Sequence, residues 1–169
     1  MVEDTELLLA LLNSRPIKDG VEHDALSDDR AAREWSTAHG GTGTPREAEN
    51  LRHLRAELTR VVLGEAPATV LAETLDGTYQ RPRLSEDGLS WELVTEPDAR
   101  LSARVVLVWA WVTENLPRRL RPCGNEECRL FLLDRSKPNK ARWCSMATCG
   151  NRMKARRHYE RSRGAASAE

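Results

Sequence analysis

The 169-residue sequence predicts an α+β protein in two parts. The first is a mostly helical N-terminal domain with a small antiparallel hairpin. Its apolar residues recur mainly at helical spacing, and two short segments instead have the alternation of apolar and polar residues that is typical of strands. The second is a small module that needs a staple to fold, and all four cysteines lie within it, at 123–149. Its predicted order of turn, hairpin and helix is treble-clef-like. We expect the N-terminal domain at 1–117, the cysteine module at 118–164 and a disordered tail at 165–169.

The first element is the apolar run Leu-Leu-Leu-Ala-Leu-Leu at 7–12. It predicts a buried segment, but six residues do not distinguish a strand from a helix. The polar residues 13–26 predict a loop. Ser27 is then expected to cap a short helix, which the glycines at 40–41 end. The side chains expected to point inward from this helix are Ala31, Ala32, Trp35 and Ala38.

The next helix has both a start and a stop signal. Thr44 can accept a hydrogen bond from the amide three residues later in the chain, and Pro45 suits the first helical position. Glu47 completes a capping box. Gly64 ends this helix, and residues 67–75 predict another short one. The apolar residues at helical spacing in the longer helix are Leu51, Leu54, Leu58, Val61 and Val62.

A hairpin and a long helix complete the N-terminal domain. The segments 78–84 and 89–95 flank a turn at 86–88, and their alternation predicts two antiparallel strands. The Thr-Glu-Pro-Asp sequence at 95–98 begins the last helix, and Pro117 closes it. The apolar stripe of this helix consists of Leu101, Val105, Val108, Val112 and Leu116.

The two parts carry opposite charge, although the whole chain is neutral. Residues 118–163 contain 14 Lys and Arg against 4 Asp and Glu, a net charge of +10. Residues 1–117 contain 12 Lys and Arg against 21 Asp and Glu, a net charge of −9. This asymmetry predicts a basic part that binds anions such as nucleic acid. The alternative is that the two halves attract each other.

The cellular setting is inferred from what the sequence lacks. Its acidic start does not resemble a signal peptide, and no apolar run approaches the length needed to span a bilayer. We therefore expect a cytoplasmic protein with no membrane partner. In a reducing compartment, cysteines serve as metal ligands more often than as disulfide partners.

Two cysteine pairs of identical spacing are the strongest chemical signal. Each pair encloses four residues, and fifteen residues separate the pairs; the cysteines are Cys123, Cys128, Cys144 and Cys149. Four thiolates can hold one tetrahedral metal ion without leaving a position for a catalytic water. Paired ligands on a turn and a helix favour a single structural Zn²⁺, while an iron–sulfur cluster stays an alternative. Gly124 and Asn125 are expected to provide the unusual backbone angles of the turn.

The residues around the pairs predict a small fold of their own. Residues 130–133 form a short strand, and the polar turn at 138–139 returns the chain to the second pair. Strand and return segment would make a hairpin against the metal. Cys149 would lie in the first turn of a helix over 151–163.

This last helix is basic, which makes it a candidate nucleic-acid contact. Arginine can reach phosphates and can read guanine edges in a bidentate manner. The candidate contact residues are Arg142, Arg152, Lys154, Arg156, Arg157, Arg161 and Arg163. Arg152 has an alternative role, in which its guanidinium bonds a thiolate sulfur or a nearby carbonyl. DNA is the expected partner, RNA is the variant, and a solvated helix facing the acidic domain is the alternative.

Three segments together resemble the CGNR zinc finger. They are Arg-Pro-Cys-Gly-Asn-Glu-Glu-Cys at 121–128, Phe-Leu-Leu-Asp-Arg-Ser at 131–136 and the run Arg-Trp-Cys-Ser-Met at 142–146 that continues into Cys-Gly-Asn-Arg at 149–152. The family is named for this last run. The resemblance implies that each of the four cysteines is a zinc ligand.

The N-terminal part is similar to the ABATE type of domain that usually precedes this finger. The similarity lies in its length, in the Leu-Leu-Asn segment at 11–13 and in a hairpin before a long helix. The resemblance implies a bacterial transcriptional regulator that binds DNA through its finger. Its N-terminal domain would sense a small-molecule signal or form a homodimer.

Two other classes of function are alternatives. In the first, the zinc module docks a protein partner such as the transcription machinery. In the second, the chain is an enzyme, but His23, His39 and His53 are scattered with no spacing that links them to a nucleophile or a metal. We therefore expect no catalytic activity.

Overall fold

A computed structural model describes residues 4–18 and 20–166 and confirms the α+β class. The N-terminal part contains α1 (Thr5–Leu12), β1 (Ile17–Lys18), β2 (Val21–Glu22), α2 (Asp29–Ala38), α3 (Pro45–Leu63), a 3-10 helix (Ala68–Leu75), β3 (Tyr79–Ser85), β4 (Gly88–Val94), a 3-10 turn (Pro97–Ala99) and α4 (Arg100–Asn115). The C-terminal part contains β5 (Leu120–Pro122), β6 (Phe131–Leu133), a π-helical turn (Met146–Gly150) and α5 (Asn151–Ala166). The strands form three antiparallel pairs, β1 with β2, β3 with β4 and β5 with β6.

The core lies where α1, α3 and α4 pack together. The apolar run at 7–12 is helical, because Leu7, Leu8, Leu11 and Leu12 then all face this core. Burying one such leucine side chain contributes about 1.5–3 kcal/mol. The predicted stripe of the last helix is confirmed at Leu101, Val105, Val108 and Val112, which are buried.

Helix α2 differs from its prediction by one residue. Its cap is Asp28 rather than Ser27, because the Asp28 carboxylate accepts a hydrogen bond from the Ala31 amide at 2.9 Å. The helix therefore buries Ala32 and Ser36, and the prediction that Ala38 points inward is wrong because Ala38 is exposed. The serine is tolerated inside because its hydroxyl donates to a buried carboxylate.

That carboxylate belongs to Glu47, and its role also differs from the prediction. Thr44 caps α3 as expected, accepting from the Glu47 amide at 3.1 Å. Glu47 does not return to Thr44; its fully buried carboxylate accepts from the Gly43 amide at 2.9 Å and from the Ser36 hydroxyl. Gly41 leaves room for this group, since a Cβ there would lie 2.6 Å from the Glu47 Oε2 atom.

The β3–β4 hairpin is confirmed with a two-residue turn at 86–87. Every residue of β3 is exposed. Direct cross-strand partners Leu84 and Leu89, and Pro82 and Trp91, share one face of the hairpin, and Trp91 is 59% exposed. The small β1–β2 pair was not predicted; it lies inside the segment 13–26 that we expected to be a loop.

The cysteine module packs onto the N-terminal body through β6. Phe131 is 5% exposed and joins the hydrophobic core. Its backbone N–H donates to the Asn13 Oδ1 atom at 2.7 Å, and its carbonyl accepts from the Asn13 Nδ2 atom at 3.1 Å. An ion pair of 2.5 Å between Arg129 and Glu22 adds to this contact. The module is therefore docked on the body rather than tethered to it.

The C-terminal helix is longer than predicted. Helix α5 continues to Ala166, whereas we expected the folded module to end at 164. The rest of the predicted tail, 167–169, lies outside the described residues. Among the described residues, no helix combines the length and the apolar character needed to cross a membrane.

Candidate metal centre and basic helix

The four cysteine sulfur atoms converge on one point. All four lie within 4.8 Å of one another, and the distance from the Cys144 sulfur to those of Cys128 and Cys149 is 3.7 Å in each case. A tetrahedral ion with Zn–S bonds of about 2.3 Å separates its ligand sulfurs by about 3.8 Å. The spacing therefore fits four thiolates around a single ion.

The β5–β6 hairpin places the first pair of cysteines. Its register joins Leu120 to Leu133, and the Cys123 amide extends the pairing by donating to the Leu130 carbonyl at 2.8 Å. Cys123 and Cys128 therefore lie in the connection between two paired strands. The hairpin predicted from residues 130–133 and the return segment is wrong, because the partner of this strand precedes the first cysteine.

Gly124 is needed for a reason other than the predicted one. Neither Gly124 nor Asn125 adopts left-handed backbone angles. The Gly124 amide instead donates to the Arg142 carbonyl at 2.7 Å, which brings the two cysteine segments together. A Cβ at Gly124 would lie 3.1 Å from that carbonyl oxygen and 3.3 Å from the Trp143 ring. A side chain here would require these neighbours to shift by a few tenths of an ångström.

The second pair lies at the entrance to α5, as predicted for Cys149. Ser145 caps the π-helical turn by accepting from the Thr148 amide at 3.3 Å, and Cys149 lies within this turn. A Cβ at Gly150 would lie 2.8 Å from the Met146 sulfur and 3.2 Å from the Trp143 ring. Glycine at 150 thus lets Trp143 and Met146 pack against the start of α5.

Two N–H groups point at cysteine sulfurs. The Cys144 amide donates to the Cys123 sulfur at 3.5 Å, and the Asn125 Nδ2 atom donates to the Cys149 sulfur at 3.6 Å. Asn125 is fully buried, whereas Arg152, for which we had considered a bond to sulfur, is exposed. This role of Asn125 was not predicted. The signal available in the sequence was an amide side chain two residues after a candidate metal ligand, in Cys-Gly-Asn at 123–125.

Burial affects the thiols in different ways. It raises the pKa of Cys128 to about 11, and burial together with the neighbouring thiols raises that of Cys144. Burial also acts to raise the pKa of Cys149, but hydrogen bonds from Asn125 and the other thiols lower it overall. Four thiolates packed this closely repel one another, so a bound cation is what would hold all of them deprotonated.

Asp134 stabilises the segment that links the two pairs. Its buried carboxylate accepts from the amides of Ser136 and Ala141, each at 2.8 Å, and from the Arg121 guanidinium at 2.6 Å. The pKa of Asp134 is lowered to about 2, mainly by hydrogen bonds from Ser136. The hydrogen bond from the Ala141 amide and the charge of Arg121 lower it further. This network holds the loop against β5, and the sequence analysis did not predict it.

The structure divides the predicted nucleic-acid contacts into three groups. Arg152, Lys154 and Arg157 are exposed along α5. Arg156 is also exposed but forms an ion pair of 2.5 Å with Glu127, and the exposed Arg142 lies 5.2 Å from the Trp143 ring centre. The side chains of the remaining two, Arg161 and Arg163, lie outside the part of the chain that the structure describes.

This is a protein of two parts. Four thiols from two segments converge at the start of a basic helix, and this module packs on a helical α+β domain. Comparison with protein families agrees with this description. The model of the CGNR zinc finger family matches residues 119–162, and that of the ABATE family, "Putative stress-induced transcription regulator", matches residues 5–118. The chain belongs to the ABATE family and ends in a CGNR zinc finger. A comparison with curated proteins found no match.

Proposed function

We propose that this protein is a zinc-dependent, DNA-binding regulator of transcription. The observation that carries the proposal is the convergence of four thiols at the start of an exposed basic helix. In this role the protein binds its partners and catalyses no reaction. The N-terminal part senses a signal or dimerises, and the finger contacts DNA.

Zinc is the proposed ion because the site is small and its ligands are soft. Ligand atoms that lie within 4.8 Å of one another enclose one ion and leave no room for a cluster of several iron atoms. Four thiolates saturate tetrahedral zinc, so the ion would have a structural role. Cys123, Cys128, Cys144 and Cys149 would hold it and so fix α5 to the β5–β6 hairpin.

The exposure of α5 supports a nucleic-acid contact over a contact with the acidic body. From Asn151 to Glu160, every side chain is exposed except that of Met153. Arg152, Lys154 and Arg157 therefore face solvent, on a module whose net charge is +10. A helix of this kind fits the major groove of DNA, and phosphate contacts would give its affinity a strong salt dependence.

The double variant Arg152→Ala/Arg157→Ala tests the interface. We expect weaker binding to duplex DNA and a fall of about 2 in the slope of log affinity against log salt, since each lost phosphate contact removes about 0.9. Arg30→Ala/Arg100→Ala, which removes two exposed arginines from the N-terminal body, is the matched control. Fluorescence anisotropy over a salt series measures both. Equal slopes for the two variants would contradict a DNA contact through α5.

Metal removal separates the finger mechanism from simple charge attraction. Chelation, checked by metal analysis, should abolish DNA binding because α5 would lose its attachment. Unchanged affinity of the metal-free protein would contradict the mechanism. The same anisotropy titration with duplex RNA distinguishes the RNA variant. If Arg156→Glu/Arg157→Glu leaves the DNA affinity unchanged, the result would favour the alternative in which the module docks a protein partner.

A further inference from the structure

A cleft of about 370 Å³ lies on the N-terminal part, away from the cysteines. It lies between α3, the end of the 3-10 helix Ala68–Leu75 and the start of α4. This volume is in the lower range of small-molecule sites in proteins. Neither the metal centre nor the basic helix uses this cleft.

The lining of the cleft is acidic. Four carboxylates surround it, those of Glu73, Asp76, Glu96 and Asp98, against the guanidinium of Arg46 and the imidazole of His53. Within residues 4–18 and 20–166, none of the four carboxylates takes part in an ion pair. Asp98 accepts a hydrogen bond from the neutral Thr42 hydroxyl at 2.7 Å, which leaves its charge unpaired. Together the four negative charges exceed the positive charge of the lining and would attract a cation.

A buried hydroxyl in the wall of the cleft lacks a partner. Ser102 is 2% exposed, and its Oγ atom has no hydrogen bond within the described part of the chain. A helical serine usually bonds the carbonyl four residues earlier. That carbonyl, of Asp98, accepts from the Asn50 Nδ2 atom at 3.0 Å instead. A buried hydroxyl is costly to leave unbonded, so a group bound in the cleft would stabilise it.

The arrangement of the acids argues against a metal ion as the occupant. Among the described residues, the four cysteines are the only group of three or more potential ligands within metal-binding distance of one another. Within the described part of the chain, no three of the carboxylate and imidazole groups of the cleft bring their ligand atoms within 4.8 Å of one another. Groups separated in this way suit a cation with several separated charges.

We propose that this cleft binds an aliphatic polyamine. Its ammonium groups pair with the carboxylates of Glu96, Asp98 and Glu73. The buried Ser102 side chain rotates towards the cleft on binding, and its hydroxyl then accepts from one ammonium N–H. A polyamine would then be the signal that the N-terminal part senses, and this consequence rests on the proposed function. Binding itself is measurable without DNA, so its failure and the failure of DNA binding are separate results.

Calorimetry on the zinc-loaded, full-length protein with spermidine tests the site at constant ionic strength. We expect saturable binding at one site and a rise in melting temperature. Mg²⁺ and succinate serve as the inorganic-cation and dianion controls. Absence of saturable spermidine binding would overturn the proposal. So would equal binding of Mg²⁺, which would indicate general attraction to an acidic surface, or preferential binding of succinate.

Three variants locate the binding. Ser102→Ala and Glu96→Gln should each weaken spermidine binding by about tenfold or more, a change that corresponds to one lost charge-assisted contact. Asp87→Asn, in the turn of the β3–β4 hairpin, removes an equal charge that does not line the cleft and should leave binding unchanged. Equal affinities across the three variants would overturn the site.

The melting temperature of the ligand-free protein adds an independent check. Ser102→Ala should melt no lower than the wild type, because it removes a buried hydroxyl that has no partner. A lower melting temperature would show that the hydroxyl is already bonded in the fold and would overturn its assignment to a ligand. Glu96 is exposed, so Glu96→Gln keeps the test valid if Ser102→Ala fails to fold.

Discussion

Three buried polar side chains lie at the junctions and sites that distinguish this protein. Glu47 accepts hydrogen bonds from α2 and from the loop before α3, and so joins these two elements. Asn125 donates to a cysteine sulfur, and Ser102 lines the acidic cleft with a hydroxyl that has no partner among the described residues. Each group would be costly in an apolar setting. The bonds of Asn125 and of the Glu47 Oε2 atom offset that cost, whereas the Glu47 Oε1 atom has no partner in the described part of the chain.

Asp24 makes the stability of the N-terminal body depend on pH. Its carboxylate accepts two bonds from the Arg55 guanidinium, at 2.6 and 2.8 Å. Burial alone would raise the pKa of Asp24, but the bonds from Arg55 and from the Leu26 amide lower it below 3.8. The carboxylate therefore stabilises the fold above that value, and this contribution is lost as the pH falls through the folded pKa.

Asp24→Asn should lower the free energy of unfolding near neutral pH by about 2 kcal/mol, the usual range for a bond to a charged group. It should also flatten the loss of stability as the pH falls below 3.8. Urea unfolding from neutral pH into this acid range measures both. Asp29→Asn is the control, since Asp29 pairs with Arg52 at an exposed position. A steeper acid dependence in Asp24→Asn than in the wild type would contradict this assignment.

At the scale of elements, the β5–β6 hairpin determines where the thiols lie. Strand pairing places Cys123 beside Leu130, and the Gly124–Arg142 bond brings the second pair to the first. Asn125 links the hairpin turn to Cys149 at the entrance of α5. The metal centre is therefore assembled by two elements that meet through backbone bonds and one buried amide.

Asn125→Ala should weaken metal retention by about tenfold or more, because it removes a hydrogen bond to a ligand sulfur. Competition for Zn²⁺ with a chromophoric chelator measures the loss. Asn151→Ala is the matched control, as Asn151 is exposed and its side chain donates to the Ala147 carbonyl at 3.3 Å. Equal zinc affinities in the two variants would show that the amide does not support the site.

At the scale of the whole molecule, metal binding and core packing are connected. Phe131 follows Cys128 by three residues and is buried in the core formed by the N-terminal helices. The Asn13 side chain bonds both the amide and the carbonyl of Phe131. A change at the metal centre therefore reaches helix α1 through a short, packed segment.

Zinc removal should lower the melting temperature of the N-terminal helices. Losing about 3 kcal/mol of packing at Phe131 corresponds to a decrease of roughly 6–12 °C for a chain of this size. Far-UV circular dichroism of the zinc-loaded and chelated protein measures it, and we expect one transition in the loaded protein. In Asn13→Ala the decrease should be smaller, whereas Asn115→Ala, at the exposed end of α4, should match the wild type. Helix melting that is insensitive to chelation would contradict this connection.

Features that depend on near neighbours in the chain could be predicted. The Thr44 cap, the left-handed Gly64, the β3–β4 hairpin and the four-thiol group are of this kind. Each needs only residues within a few positions or a repeated spacing, so residue type and order are enough.

The tertiary structure decided which distant segments meet, and with them the strand partner of β6, the docking of Phe131 on Asn13 and the partners of Glu47 and Asn125. It also produced the cleft around Ser102, whose lining comes from three separated segments. Such contacts depend on packing between elements, where burial sets the energy of a polar group. The order of residues along the chain does not show which polar groups become buried, because burial depends on contacts between distant segments.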